Sequence, residues 1–180
     1  MRLALSLLLL SAAAFAQDAA KDAPKPEDPL KPSGPVTVTA DRAEWQEGGV
    51  MRYGGNVALV SDTLKLAGDS MVLHQYPDGE YDARVTGTPA LLSHAGAADK
   101  DGKPTPPVSA QAKNLVYDTR TGVVDIIGNA KMTRGADEIT GDEIHYNARE
   151  RRIQAAGVGG GQVKIVIQPP PKGEDKNKKP

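Results

Sequence analysis

Three histidines, His74, His94 and His145, two Gly-Asp dipeptides at 68–69 and 141–142, and a glycine-rich run at 157–162 are where this chain could carry reaction chemistry. A zinc site draws on cysteine and histidine held at short, regular intervals. Here the histidines are scattered and there is no cysteine, so no metal site is expected. His145 alternates with Ile144 and is read as facing solvent. A serine nucleophile needs a sharp elbow and a partnering base, which the pattern does not provide. The run Gly-Val-Gly-Gly-Gly-Gln lacks the Lys-Ser/Thr of a phosphate loop and leads into an alternating apolar stretch, so it is read as a turn or bulge before a last strand. Asp69 and Asp142 are read as turn formers, not as an acid and base pair. The chain therefore reads as a non-enzyme that needs no cofactor.

The elements beneath these residues are β-strands. In residues 54–76, GGNVALVSDTLKLAGDSMVLHQY, apolar and polar side chains alternate, and the same period recurs at 36–39, 115–117, 123–127, 130–133, 143–146 and 163–167. Gly, Asn or Asp bounds each run, and no helical period competes. This predicts an all-β domain of many short antiparallel strands. Gly55-Asn56, Leu66 and Gly68-Asp69 return as Gly128-Asn129, Ile139 and Gly141-Asp142, each 73 residues later (128 − 55), so one unit occurs twice, separated by a polar loop at 93–107. A repeat with one apolar face needs a neighbour to bury it, which predicts two facing sheets or a rolled sandwich. The glycine of each pair is expected to supply positive φ for a tight turn between short strands.

The ends differ from the middle. Residues 1–16 carry Arg2, an apolar run from Leu3 to Leu10, and Ala14-Phe15-Ala16, the pattern of a secretory signal cleaved after Ala16. That run is shorter than the roughly 20 residues of a spanning helix. Residues 17–34, rich in proline and charge, read as a flexible leader, 35–168 as the domain, and 169–180 as a disordered tail. The net charge of −1 falls to −2 once Arg2 is removed with the signal, which excludes a nucleic-acid partner. Without cysteine there is neither a disulfide nor a lipidated anchor, and a soluble exported protein is expected.

What the apolar face is for is the remaining question. With Tyr117 inward, alternation places Val36, Val38, Val57, Leu59, Leu64, Leu66, Met71, Leu73, Val85, Leu115, Ala130, Met132, Ile144 and Tyr146 inward, together with Val163, Ile165 and Ile167. One Phe, one Trp and five Tyr make this an aliphatic and Met face. It could be an ordinary packed core. It could equally part to accept alkyl chains, since Met adapts in shape and each buried methylene is worth about 0.8 kcal/mol. The first strand, with Val36, Thr37 and Val38, and the last, with Val163, Ile165 and Ile167, would leave open edges, which invite addition of another copy.

Several motifs in order carry a family resemblance: Gly55-Asn56-Val57 and Gly128-Asn129-Ala130, the Ala67-Gly68-Asp69 and Thr140-Gly141-Asp142 turns, Thr86-Gly87-Thr88-Pro89-Ala90 before Leu91-Leu92, and 112–118 leading into Gly122-Val123-Val124. Over residues 35–169 the chain resembles the OstA-like domain family. The resemblance implies an antiparallel β-jellyroll in the periplasm that shields the acyl chains of lipopolysaccharide in an apolar groove. It further implies head-to-tail self-association, bridging an inner-membrane lipopolysaccharide-transport component to the N-terminal domain of the outer-membrane translocon, with a partner ATPase driving movement. Val36, Leu92 and Tyr117 match positions that the family places inside its groove. Two alternatives stay open: a secreted structural or interaction β-sandwich with a plain core, and a membrane-anchored sister component of the same system.

Overall fold

The structure, a computed structural model, describes residues 28–96, 98 and 102–169. Alternation is realised as ten strands: β1 (Thr37–Thr39), β2 (Arg42–Gln46), β3 (Val50–Val60), β4 (Leu64–Gln75), β5 (Tyr81–His94), β6 (Val108–Asp118), β7 (Val123–Arg134), β8 (Asp137–Asn147), β9 (Arg152–Ala156) and β10 (Lys164–Val166). All pair antiparallel in one sheet, in the order β1-β3-β4-β5-β6-β7-β8-β10, with β2 also on β3 and β9 also on β8. The fold is thus all-β and jellyroll-like, and of the two arrangements expected from the sequence it is the rolled one, built from a single sheet.

The strands are longer than the alternating runs suggested. β3 to β8 have 11 to 14 residues each, because the Gly-Asn and Gly-Asp pairs lie inside strands instead of ending them. At Gly55 and Asn56 φ is 78° and 47°, and at Gly128 and Asn129 it is 84° and 52°. Two successive left-handed residues make a bulge, which a glycine and an asparagine tolerate better than other residues. The register shifts between Gly54 and Val57, Ala67 and Ser70, Thr86 and Ala90, Gln111 and Asn114, and Ile127 and Ala130. Each shift faces the next, so a seam crosses the sheet from β3 to β8. Gly68 and Gly141 sit on it without positive φ, correcting the turn reading. A Cβ on Gly68 would stand 2.6 Å from Val85 Cγ1 and 2.7 Å from the Thr86 carbonyl oxygen, so close strand approach is what demands glycine there.

Bulges bend strands, and two side-chain bonds show how far. Lys31 Nζ meets Glu80 Oε1 at 2.6 Å just beyond β4, while Ser33 Oγ donates to Asp62 Oδ2 at 2.5 Å just before it. A straight 12-residue strand would hold those loops about 40 Å apart. The two peptide steps from Lys31 to Ser33 cover only about 7 Å, and four side chains do not make up the rest. The sheet is therefore folded over at the seam. We call the half that carries Ala58 to Val60 of β3 the upper half and the other the lower half. The inward faces of both merge into one apolar cluster.

Candidate functional site: the apolar interior and its mouth

Which side chains line the interior follows from the strand period and the seam. From the upper half come Val57, Leu59, Leu64, Leu66, Leu92 and Met132, and from the lower half Met71, Val85, Leu115, Tyr117, Ile126 and Ile144, all buried. Leu59 pairs with Leu66, Leu66 with Leu92, and Met132 with Ile139, giving continuous rows across the strands. The surface so formed is aliphatic, with Met71 and Met132 as its adaptable members. A concavity of about 340 Å³ is lined by Lys65, Leu91, Gln111 and Lys131 together with Leu66 and Leu92, and one of about 430 Å³ lies toward Asp62, His94, Pro107 and Gly135, with Lys65, Ser93, Ser109 and Thr133 contributing to both.

At the edges the inward face runs out of neighbours. Val38 lies opposite Leu59 and packs on the cluster, but Val36, one step further along the alternation, is 40% exposed. At the other edge Ile165 lies opposite Ile139, so it shares the inward side, yet it is 57% exposed and Ile167 73%. Val36, Val163, Ile165 and Ile167 are therefore rim residues and not buried lining; Thr37 pairs with Val60 in the edge strand β1. Each edge is split in two at the seam, β1 and β2 on β3, and β9 and β10 on β8. Trp45 on β2, opposite Met51, is 80% exposed.

The mouth, where the folded halves meet, holds a feature that sequence reasoning missed. Expected to be flexible, residues 28–33 are anchored in the fold. Asp28-Pro29-Leu30-Lys31 forms a turn, with the Lys31 N–H donating to the Asp28 carbonyl at 3.2 Å and the Leu30 N–H to Asp28 Oδ1 at 2.9 Å. Asp at the first position and Pro at the second favour this geometry. Leu30 is 2% exposed, in a small site with Pro29, His94, Val108, Arg134 and Tyr146. The signal was there to find: Leu30 is the one large apolar side chain between Phe15 and Val36. The leader before Asp28, the signal segment and residues 170–180 lie outside the described residues.

The polar part of the mouth is built around Asp28. The buried Tyr117 hydroxyl donates to Asp28 Oδ2 at 2.7 Å, and the Tyr81 ring stands edge-on to Tyr117 with centroids 6.1 Å apart. Burial raises the Asp28 carboxyl above the usual aspartate value, against the pull of the Tyr117 and Leu30 hydrogen bonds and the Arg149 charge. Burial, reinforced by Asp28, pushes both tyrosine hydroxyls far up. His94 is held below its ordinary value by burial. Arg149 is pinned by donating to the Arg120 and Thr119 carbonyls at 2.8 and 2.6 Å. Tyr81 Oη, His94 Nε2 and Arg149 Nε are buried without a hydrogen-bond partner among the described residues.

The other candidate chemistry is dispersed. His145 Nδ1 lies 2.6 Å from Asp125 Oδ1, in a half-exposed cross-strand pair on the outer face. His74 lies 3.6 Å from Asp82, whose carboxylate accepts from Tyr76 at 2.7 Å. Among the described residues no three His, Asp or Glu side chains converge as metal ligands do. Asp142 accepts from the Val158 N–H at 2.7 Å, tying the glycine-rich run between β9 and β10 to the seam. That run is the turn expected before the last strand.

Known proteins place this architecture. Residues 37–152 match the family described as "LptA/(LptD N-terminal domain) LPS transport protein". The lipopolysaccharide export system protein LptA of Escherichia coli K12 is 30% identical over 181 residues, covering 98% of this chain and 88% of that one. The lipopolysaccharide export system protein LptH of Pseudomonas aeruginosa is 28% identical over 149 residues, covering 78% and 82%. The crystal structure of LptH, the LptA-homologous periplasmic component of the lipopolysaccharide transport device of that organism, superposes with a TM-score of 0.66 at 27% identity, covering 80% of this chain and all of the other. Both relatives are named as lipopolysaccharide export proteins, and the rolled sheet described above is the fold of the LptH crystal structure. On both sequence and structure, this chain belongs to the LptA/(LptD N-terminal domain) LPS transport protein family.

Proposed function

We propose that this chain is a periplasmic carrier of lipopolysaccharide, which shields the acyl chains of lipid A between the two halves of its folded sheet and bridges the inner and outer membranes. The observation that carries this reading is the interior: one aliphatic and Met surface, assembled from both halves of a single sheet. Transfer of a twelve-carbon chain out of water is worth about 10 kcal/mol at ~0.8 kcal/mol per methylene, so binding requires no further chemistry. Val57, Leu59, Leu64, Leu66, Leu92, Leu115, Tyr117, Met132 and Ile144 are assigned to the lining, with Val36 and Val38 at its rim.

The split edges support head-to-tail self-association, β1 and β2 of one copy adding to β9 and β10 of the next, so that the apolar interior continues from copy to copy. The same edges would meet the inner-membrane transport component and the N-terminal domain of the outer-membrane translocon. Export is assigned to the signal at residues 1–16, with cleavage after Ala16. A photoreactive residue at Tyr117 or Leu59 tests the reading. Crosslinks to lipopolysaccharide from both positions, and none from exposed Arg84 on the outer face, are expected. Failure of both interior positions in the folded protein would leave the interior an ordinary core.

A further inference from the structure

The turn at residues 28–30 combines two groups that an amphiphile also combines. It places a carboxylate against Tyr117 and, two residues on, an alkyl side chain in the apolar mouth. We propose that Asp28-Pro29-Leu30 is an internal ligand, filling a site whose other occupant is an anionic amphiphile with its negative group at Tyr117 and Arg149 and the start of its alkyl chain where Leu30 lies. This rests on the carrier reading and deepens it, by naming where in the interior the ligand's polar end sits.

Three observations support it. First, the mouth is more polar than the interior requires. Tyr81 Oη, His94 Nε2 and Arg149 Nε are buried there without partners, as is the acceptor Glu80 Oε2, whereas buried polar groups are ordinarily satisfied. An anion with several acceptor oxygens would use donors that the single Asp28 carboxylate leaves unused. Second, the site is built independently of the turn. Arg149 is fixed by two backbone carbonyls and Tyr117 by its place in β6, so both remain when the turn leaves. Third, the turn is fastened at its outer end by exposed bonds, Lys31 to Glu80 and Ser33 to Asp62. Exposed bonds of this kind are individually weak, so the segment is held chiefly by Leu30 and the Asp28–Tyr117 bond, the two groups that a competing amphiphile would replace. The strap also spans the two halves of the folded sheet, and its release frees the halves to separate.

The chain has no cysteine, so a pair introduced as Ser33→Cys and Asp62→Cys is unique, and a short bismaleimide can lock the strap closed. The probes are 11-(dansylamino)undecanoic acid and its uncharged methyl ester, read by fluorescence. The locked form is expected to bind the acid at least tenfold more weakly than the same variant capped with N-ethylmaleimide. D28A/L30S, with the internal ligand disabled and folding checked by urea unfolding, is expected to bind it about fivefold more tightly than the wild type. Tyr117→Phe with Arg149→Gln is expected to lose the preference for acid over ester. Equal binding by locked and capped forms, or no gain in D28A/L30S, overturns the internal ligand while leaving the carrier reading intact. If no form, D28A/L30S included, binds the acid, the ester or lipopolysaccharide, the carrier reading itself falls and this site falls with it.

Discussion

The two copies of the repeat are alike at the middle of the sheet and unlike at its edges. Gly55-Asn56 in β3 and Gly128-Asn129 in β7 adopt nearly the same left-handed pair, and the strands that follow, β4 and β8, cross the seam unbroken. The outer members diverge. In the second copy β6 runs through the seam as one strand of 11 residues, while its counterpart in the first copy is split into β1 and β2. Conversely β5 is continuous over 14 residues, and its counterpart is split into β9 and β10 by the glycine-rich run. The strands with ladders on both sides are the ones that stay continuous through the bend. A strand with one neighbour has half the hydrogen bonds to carry it through, and both edges break at the same level.

The largest effects should fall on positions where the copies match. Leu59 and Met132 are 73 residues apart and both fully buried, so Leu59→Ala and Met132→Ala should each cost about 3 kcal/mol in urea unfolding. Costs differing by more than about 2 kcal/mol would break the equivalence. Next come the seam glycines, where the copies should differ. A side chain at Gly68 meets Val85 and the Thr86 carbonyl between two full-length strands, whereas at Gly141 the nearest atom is the Ala156 carbonyl oxygen at 3.0 Å, at the end of the short β9. Gly68→Val should cost about 3 kcal/mol and Gly141→Val about 1. Equal costs would show that edge and centre are equally rigid.

Smaller still is the effect of charging an edge. Ile165→Lys should change the unfolding free energy by less than about 0.5 kcal/mol, because the side chain is already exposed. Sedimentation should nevertheless show weaker self-association, and unchanged association would argue against this edge as the docking strand. The smallest effect concerns the mouth. His94 titrates below its ordinary 6.5 because it is buried, so the unfolded chain binds the proton first as the pH falls. The stability it contributes is complete above pH 6.5 and is lost as the pH drops toward the folded value. His94→Gln should lessen the fall in unfolding free energy between pH 7.5 and pH 5, and a fall as steep as the wild type's would place the titration elsewhere.

Much of the interior was legible because a strand's period is local. Each of Leu59, Leu66, Leu115 and Ile144 declares its face by its two neighbours, and the repeat shows which residues are equivalent. The bulges were not legible as bulges. Gly-Asn is compatible with a hairpin turn and with a bulge, since both use positive φ, and only pairing with neighbouring strands decides between them. The motif series from Gly55 to Gly141 nevertheless pointed to the right family, because order and spacing survive even when the local conformation is misread. The mouth was hidden for a different reason. Asp-Pro-Leu-Lys amid prolines and charges has no periodicity, and its role depends on Tyr117, 89 residues away along the chain.

By itself, then, the sequence determined the all-β class, the inward face and the twofold repeat, since these follow from spacing within short windows and from residue type. Tertiary structure alone decided that the glycine pairs align into one seam, that the sheet folds there into a single interior, that both edges split, and that Asp28 and Leu30 occupy the mouth. Each of these depends on register between strands or on contact between distant segments, where cross-strand packing and burial select among conformations that the local sequence leaves nearly equal in energy.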